Sequence, residues 1–315
     1  MEYPTAGGPA TALVEARRPS KRRVSEGVAG YLFLLPWFTG LALIVAGPMA
    51  ASLYLSFTSW NPLGSPEWVG FDNYVRMFTA DARYIASVKV TLTYVVVSVP
   101  LQLTFALALA MALDRGVRGM RFYRSVFYLP SLLGGSVAIA LLWRQVFGAN
   151  GLVNQFLGLI GVDDAPNWIG SPGTAVYTLV ALAVWQFGAP MVIFLAGLRQ
   201  IPAMYYEAAA VDGAGRIRQF FRITLPLLSP VIFFNLILQV INAFQAFTPA
   251  YVISDGLGGP VDSTLFYTLY LYQEGFTSFR MGYASAMAWV LLAVVAIFTA
   301  INFLSSRFWV FYADE

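Results

Sequence analysis

The sequence contains no cysteine, no histidine and only two lysines, Lys21 and Lys89. The absence of cysteine excludes disulfides, iron–sulfur clusters and thiol catalysis within this chain. The absence of histidine excludes Ser-His-Asp triads, histidine-liganded metal sites and haem with a histidine axial ligand. Neither lysine follows a glycine, since Ser20 and Val88 precede them, so the Gly-Lys of a nucleotide-binding P-loop is missing. The chain therefore carries no Walker-type ATP site of its own.

Charge is also scarce. Only 11% of the residues are charged, whereas a soluble domain carries about 25%. Hydrophobic residues make up 58%, and the mean hydropathy is +0.67. So few charges cannot cover a globular surface in water, and we expect the chain to be solvated largely by lipid. The net charge of +3 is too small to indicate a nucleic-acid partner.

Six stretches are long and apolar enough to cross a bilayer, which takes about 20 residues of helix. They cover residues 30–57, 85–113, 124–147, 174–198, 227–253 and 282–305. The predicted fold class is an all-α integral membrane protein with about six transmembrane helices. We predict three parts: a mobile basic tail over 1–29, a six-helix domain over 30–305 with a long loop at 199–226, and a short C-terminal tail over 306–315.

The basic residues predict the orientation of these spans. Fourteen of the 19 Lys and Arg residues, Arg124 among them, fall on one side of the alternating spans. The other five are Arg76, Arg83, Lys89, Arg144 and Arg280. Loops rich in Lys and Arg stay in the cytoplasm. Both termini are therefore predicted to be cytoplasmic.

The loop at 199–226 has an unusual pattern. Glu207 begins a run of good helix formers with three alanines, and Gly213 would end that helix. Small side chains let another backbone approach closely, and Glu207 and Asp212 can accept hydrogen bonds from arginine. The alternative is an interfacial helix lying on the membrane. That alternative explains Phe220 and Phe221, but not the row of small residues.

The same loop resembles the EAA loop of ABC-importer permeases: E-A-A, three residues, Gly, nine residues, I-x-L-P. The matching positions are Glu207, Ala208, Ala209, Gly213, Ile223, Leu225 and Pro226. Residues 69–74, 128–130 and 258–260 further resemble the carbohydrate-uptake branch, which includes maltose, multiple-sugar and glycerol-phosphate importers. The resemblance covers residues 25–310.

This resemblance implies the type I ABC-importer permease architecture in a bacterial inner membrane. In that family the EAA loop is a coupling helix, which docks in a cleft of a separate ATPase subunit. The residues expected to couple to the ATPase are Glu207, Ala208, Ala209, Asp212 and Gly213. The resemblance also implies a second homologous permease, an ATPase dimer and an extracytoplasmic solute-binding protein as partners. The chain itself is then not an enzyme and has no cofactor, with ATP and Mg bound by the partner ATPase.

Polar residues inside the fifth span indicate a substrate site. At about 100° per residue, Asn235, Gln239 and Asn242 fall on one narrow stripe, with Gln245 at its edge. Amides donate and accept hydrogen bonds, which suits a neutral polyol. Amides also bridge packed helices, so helix–helix contact is an equal alternative on the residues alone. In the maltose importer the sugar contacts come from the span after the EAA loop, and this resemblance favours the substrate reading.

The fourth span adds Gln186 as a further substrate contact and Pro190 as a kink. After the fifth span, the Gly-rich outer loop 254–260 is either a contact with a binding protein or a simple connection. Asp163 and Asp164 are interpreted as solvated charge rather than a metal pair.

Two other functional classes compete with an ATP-driven carbohydrate importer. A self-contained secondary carrier of neutral polyols needs coupling-ion residues at mid-membrane, but none of the spans contains an acidic residue. A membrane-embedded transferase or hydrolase would lack histidine, cysteine and a carboxylate within the spans. The importer is the only one of the three that explains the loop at Glu207.

Overall fold

The computed structural model describes residues 26–114, 116, 119–162 and 164–311. Seven of the fourteen basic residues counted above lie outside these ranges, namely Arg17, Arg18, Lys21, Arg22, Arg23, Arg115 and Arg118, and so does Asp163. The chain forms two compact units, Met1–Ala51 and Ser52–Glu315.

The first unit contains helix α1 (Glu26–Gly40), a π-helical turn (Leu41–Ala46) and the start of α2 (Gly47–Ser56). The wide turn comes directly before Pro48, which has no N–H to donate to the carbonyl of Ile44 four residues earlier. Apolar side chains along α1 and the turn, including Phe33, are exposed. Such exposure suits a helix solvated by lipid.

The second unit starts with a short antiparallel pair, β1 (Thr58–Ser59) and β2 (Glu67–Trp68). Its first helices are α3 (Asp72–Thr79), α4 (Ala82–Asp114), α5 (Met120–Leu133), α6 (Val137–Phe147), α7 (Leu152–Leu159), α8 (Ala175–Trp185) and α9 (Gly188–Leu198). Next come α10 (Ala203–Val211), α11 (Arg216–Gln219), a π-helical turn (Phe220–Thr224), α12 (Leu225–Phe244) and α13 (Thr248–Ile253). The unit ends with a 3-10 turn (Pro260–Asp262), α14 (Tyr267–Tyr272), a π-helical turn (Gln273–Thr277) and α15 (Met281–Trp309).

Four helical stretches are long and apolar enough to cross a membrane: Gly30–Ser56, Ala82–Asp114, Arg216–Ile253 and Met281–Trp309. They correspond to the first, second, fifth and sixth predicted spans. The remaining two predicted spans are bent pairs of helices, so the count reaches six only if each pair forms one span.

The third predicted span, over 124–147, falls on one of these bent pairs of helices. The chain bends by 95° between the helices Phe122–Leu133 and Val137–Leu159. Gly134 and Gly135 are poor helix formers and interrupt the helix there. Ser136 then caps a new helix, because its Oγ accepts a hydrogen bond from the backbone N–H of Ile139 at 3.3 Å.

Helix α4 lies at the centre of the second unit and packs against α8, α9, α12 and α14. Its buried face includes Val99 and Ala106, which belong to one core with Phe194 of α9. Gly197 of α9 permits a close approach to α12, since a Cβ there would lie 2.8 Å from the side chains of Leu228 and Val231. The two proline-containing helices α9 and α12 are thereby held side by side.

Ion pairs mark the two ends of this bundle. Three of them join residues that the alternation of spans assigns to the same end: Arg83 with Asp262, Arg144 with Asp255, and Arg280 with Glu274. A fourth joins Arg199 and Asp114 at 3.5 Å, and both were assigned to the opposite end. The ion pairs therefore agree with the predicted grouping of the loops into two sets.

Candidate substrate cavity and coupling helix

A cavity of about 370 Å³ lies among α4, α5, the α8–α9 junction and the α12–α13 junction. Its polar lining comes from Tyr94, Ser98, Gln102, Ser131, Gln186, Gln239, Asn242, Gln245 and Thr248. Amides and hydroxyls dominate, and no charged side chain is among the described lining residues. Such groups can donate to and accept from the hydroxyls of an uncharged polyol.

One wall of the cavity is a proline-induced break. Pro190 has no N–H for the carbonyl of Gln186, four residues earlier, and α8 and α9 meet there at 43°. The freed carbonyl accepts hydrogen bonds from Gln102 Nε2 at 3.1 Å and Ser131 Oγ at 3.0 Å. Ser131 Oγ also accepts from the N–H of Ala189 at 2.8 Å. The kink expected at Pro190 is confirmed, and it connects three helices at the cavity.

The opposite wall is a second break of the same kind. Helix α12 ends at Phe244, and α13 begins at Thr248. Pro249 cannot donate to the carbonyl of Gln245, and Thr268 Oγ1 donates to the neighbouring carbonyl of Ala246 at 2.5 Å. Broken helices at membrane depth are tolerated where they line a cavity. The break places the Gln245 side chain in the cavity wall.

The structure brings four of the five predicted substrate residues together: Gln186, Gln239, Asn242 and Gln245 all line the cavity. Asn235 is not among the lining residues. Its side chain is 0% exposed, and neither Oδ1 nor Nδ2 has a hydrogen-bond partner among the described residues.

Sequence reasoning missed the contribution of α4 to the cavity. Tyr94, Ser98 and Gln102 line it from one face of that helix. They recur every four residues, so the same periodicity argument that selected the stripe of the fifth span could have found them. Ser131 was also missed, because a lone serine in a span has no periodic partner to distinguish it.

The helix predicted in the loop at 199–226 exists as α10, and its coupling role stays a prediction. Gly213 ends this helix in a left-handed conformation with φ of +74°, as expected for a glycine just past a helix end. The N–H of Gly213 donates to the carbonyl of Ala210, and the N–H of Ala214 donates to the carbonyl of Ala209 at 2.8 Å. Tyr206 Oη and Thr224 Oγ1 lie 3.0 Å apart, which joins α10 to the turn before α12. This contact therefore links α10 to the segment that leads into α12, the helix that lines the cavity.

The surface of α10 is open to a partner. Glu207, Ala208 and Asp212 are exposed, and so are the apolar side chains of Met204 (66%) and Val211 (89%). Exposed apolar side chains next to a carboxylate are typical of a surface that another protein covers. The membrane-lying alternative concerns the following segment, where Phe221 is exposed and packs edge-on against Phe220.

The other end of the bundle has a carboxylate held by tyrosines. Asp81 Oδ2 accepts hydrogen bonds from Tyr270 Oη at 2.6 Å and from Tyr283 Oη at 2.7 Å, and Oδ1 accepts from the N–H of Tyr84. Burial alone would raise the pKa of Asp81, but these hydrogen bonds and the positive charge of Arg76 hold it below its usual value. Asp81 therefore connects the start of α4 to α14 and α15.

The loop after α13 lies at the same end and is conformationally strained. Asp255, Val261 and Asp262 have positive φ values of 53°, 51° and 57°. Such a conformation costs about 1–3 kcal/mol per residue and is rare for a β-branched side chain. Arg83 binds Asp262 through two hydrogen bonds of 3.0 and 3.2 Å, and Arg144 pairs with Asp255. The strained loop is thus held by two arginines from other elements.

Comparisons with known proteins agree with this geometry. The chain is 51% identical over 301 residues to the probable ABC transporter permease protein YesP of Bacillus subtilis (strain 168), covering 96% of this chain and 97% of YesP. It is 35% identical over 278 residues to the sn-glycerol-3-phosphate transport system permease protein UgpA of Salmonella typhimurium (strain LT2), covering 87% and 92%. These relatives are named as permeases, which leaves the secondary-carrier and membrane-enzyme alternatives without support.

The fold is also found among solved structures. A chain of the bacterial alginate ABC transporter, crystallised in complex with an alginate pentasaccharide-bound periplasmic protein, matches with a TM-score of 0.74 at 23% identity. The match covers 89% of this chain and 94% of that chain. The family model described as "Binding-protein-dependent transport system inner membrane component" matches residues 103–310. This chain therefore belongs to the family of inner-membrane permease components of binding-protein-dependent ABC transport systems.

Proposed function

We propose that the chain is one of two permease subunits of an ATP-driven importer of carbohydrate. The observation that carries the substrate class is the cavity between the two proline-broken helices. Its amides come from Gln186, Gln239, Asn242 and Gln245, which suit the many hydroxyls of a sugar. Aromatic side chains beside it, including Phe247 and Tyr94, offer apolar faces to the C–H surface of a sugar ring. One relative is named for sn-glycerol 3-phosphate, a polyol phosphate whose hydroxyls resemble those of a sugar.

In this proposal the energy comes from ATP and Mg on a partner ATPase dimer. Glu207, Ala208, Ala209 and Asp212 form the docking face on α10, and Gly213 ends the helix so that this face stays short. ATP shifts the equilibrium between the inward-open and outward-open states only to the extent that it binds one of the two states more tightly. The hydrogen bond between Tyr206 and Thr224 supports a direct mechanical connection from α10 to α12.

We assign the end with α10 to the cytoplasm, with both termini on that side of a bacterial inner membrane. The excess of basic residues at this end supports the assignment. The strained loop 254–262 then faces the outside, where it presents Leu257 and Val261, both more than 70% exposed. A loop with exposed apolar side chains is suited to contact an extracytoplasmic solute-binding protein, and the structure of the alginate transporter with its periplasmic protein supports such a partner.

The test is uptake by the reconstituted complex of both permeases, the ATPase and the binding protein. Gly213→Val forces a β-branched residue into a left-handed conformation, so it should distort the end of α10 and separate ATP hydrolysis from uptake. We expect sugar uptake to fall by at least about tenfold while the ATPase still hydrolyses ATP. Gly215→Ala is the matched control, because Gly215 has an ordinary φ of −68° and open space around it.

Sugar uptake at the wild-type rate in Gly213→Val would contradict the docking role of α10. Uptake without any ATPase subunit would contradict the proposed energy source. Both outcomes are read in vesicles loaded with ATP, against vesicles loaded with a non-hydrolysable analogue.

A further inference from the structure

A second cavity lies between α5 and α9, beside the one already described. Its volume is about 510 Å³, and it is lined by Arg124, Ser125, Tyr128, Ala189, Val192 and Ile193. In contrast to the first cavity, it contains a charged side chain. Two hydroxyl-bearing residues, Ser125 and Tyr128, accompany the guanidinium.

The two cavities are adjacent, since Ala189 lines both of them, and together they are called the groove. On α5, Arg124 and Tyr128 line the second cavity, and Ser131 lines the first. These three positions are spaced by four and three residues, so they share one face of α5. A ligand leaving the first cavity along α5 towards the end that carries α10 would reach Arg124.

The charge of Arg124 has no acidic partner among the residues that the structure describes. The ion pairs there use Arg83, Arg144, Arg199 and Arg280, and Asp114, which lies at the same end of the bundle as Arg124, pairs with Arg199. Arg124 is half-buried. An arginine guanidinium binds carboxylates and phosphates through charge-assisted, often bidentate hydrogen bonds.

We propose that Arg124 binds the anionic group of the transported substrate, a carboxylate or a phosphate, with Ser125 and Tyr128 beside it. The inference rests on the proposed function and narrows it: the substrates include acidic sugars or polyol phosphates. The uncharged first cavity binds the hydroxyls, and the Arg124 cavity binds the acidic group on the inward side of the path. A phospholipid headgroup offers the same chemistry, and the experiment separates the two sources.

The test measures binding rather than transport. The complex of both permeases and the ATPase is placed in nanodiscs of phosphatidylcholine, and ligand binding is titrated by saturation-transfer-difference NMR. Two matched pairs serve as probes: D-glucuronate with D-glucose, and sn-glycerol 3-phosphate with glycerol. We expect each anion to bind about tenfold more tightly than its neutral counterpart, as one added charge-assisted contact implies.

Arg124→Gln should bring the ratio of the Kd of the neutral probe to the Kd of the anion close to one. Arg124→Lys should keep part of this preference because the charge remains. Arg307→Gln is the control, since Arg307 is an exposed arginine of α15 that lies outside the groove. The thermal unfolding temperature of each variant shows whether it is folded. An unchanged ratio in a folded Arg124→Gln complex would overturn the proposal, and so would an equal loss in Arg307→Gln.

Nanodiscs with phosphatidylglycerol distinguish the lipid source. We expect the preference for the anionic sugars to persist in them. If phosphatidylglycerol abolishes the preference, and native mass spectrometry shows that the lipid is retained by wild type but not by Arg124→Gln, the site belongs to headgroups and the proposal fails. The binding test uses no ATP, so its result does not depend on transport. If the complex bound the anions preferentially but failed to take up sugar, the proposed function would be contradicted and the Arg124 site would not.

Discussion

Asn235 and Gln239 lie one turn apart on the same face of α12, but only Gln239 reaches the cavity. Asn235 is fully buried, and its amide has no hydrogen-bond partner among the described residues. Leu228 and Val231 on the same helix approach Gly197 of α9. Along α12, Asn235 therefore lies between the residues that approach α9 and the residues that line the cavity. A buried amide without a partner costs about 1–3 kcal/mol.

Asn235→Leu should stabilise the protein, because it replaces an unpaired amide with an apolar side chain of similar size. We expect the free energy of unfolding to rise by about 1 kcal/mol, with the KM for uptake unchanged. Denaturant unfolding in detergent measures the first quantity. Asn302→Leu is the control, since Asn302 already donates to the carbonyl of Phe298 at 2.8 Å and should give no gain. A higher KM in Asn235→Leu would instead show that Asn235 contacts the substrate during transport.

Gln239→Leu and Asn242→Leu remove amides from the cavity wall without a large change in volume. A sugar hydroxyl that loses its partner costs about 1–2 kcal/mol, so uptake at low substrate concentration should fall by about tenfold in each variant. Leu238→Ala, at the neighbouring exposed position of α12, should have little effect. Transport assays across a range of substrate concentrations measure the KM and the maximal rate of each variant. Unchanged KM and rate in both variants would mean that the two amides serve helix packing.

Pro190→Ala restores an N–H four residues after Gln186. We expect this N–H to bond to the Gln186 carbonyl, which then competes with Gln102 and Ser131 for the same acceptor. The α8–α9 bend should decrease, thermal stability should be kept or increased, and uptake should fall by several-fold. Pro100→Ala in α4 is the comparison, because that proline is exposed and lies outside the cavity lining. Equal effects of both substitutions on uptake would argue against a special role of the α8–α9 break.

Asp81 predicts a pH dependence of stability. Its pKa in the folded protein lies below the value of about 3.9 in an unfolded chain. The ionised carboxylate therefore stabilises the fold above about pH 3.9, and this contribution is lost as the pH falls through the folded-state pKa.

Asp81→Asn should accordingly unfold at a lower temperature than wild type at pH 7, and the difference should shrink between pH 5 and pH 3. Calorimetry or a thermal-shift assay in detergent measures it. Asp72→Asn is the control, since Asp72 is an exposed carboxylate on α3. A constant difference between wild type and Asp81→Asn over this range would show that the tyrosine hydrogen bonds do not depend on the charge.

Much of the fold follows from the sequence for local reasons. The spans at 30–57, 85–113 and 282–305 are long apolar runs, and each is a long helix in the structure. Helix α10 ends where Gly213 can adopt a positive φ, which glycine does without strain. The bend at Gly134 and Gly135 was not predicted, because glycine in a membrane span is common and does not by itself indicate a break.

The sequence by itself determined that the chain is solvated by lipid, that it lacks the Gly-Lys of a Walker-type ATP site, and that a short helix follows the fourth span. These properties depend on composition and on neighbours within a few residues. Only the tertiary structure decided which polar residues meet. Gln186, Gln239, Asn242 and Gln102 come from three different spans, and Asn235 shares their pattern but is enclosed by packing. Helix periodicity fixes the face on which a residue lies, whereas the neighbouring helices decide whether that face borders a cavity or a packed core.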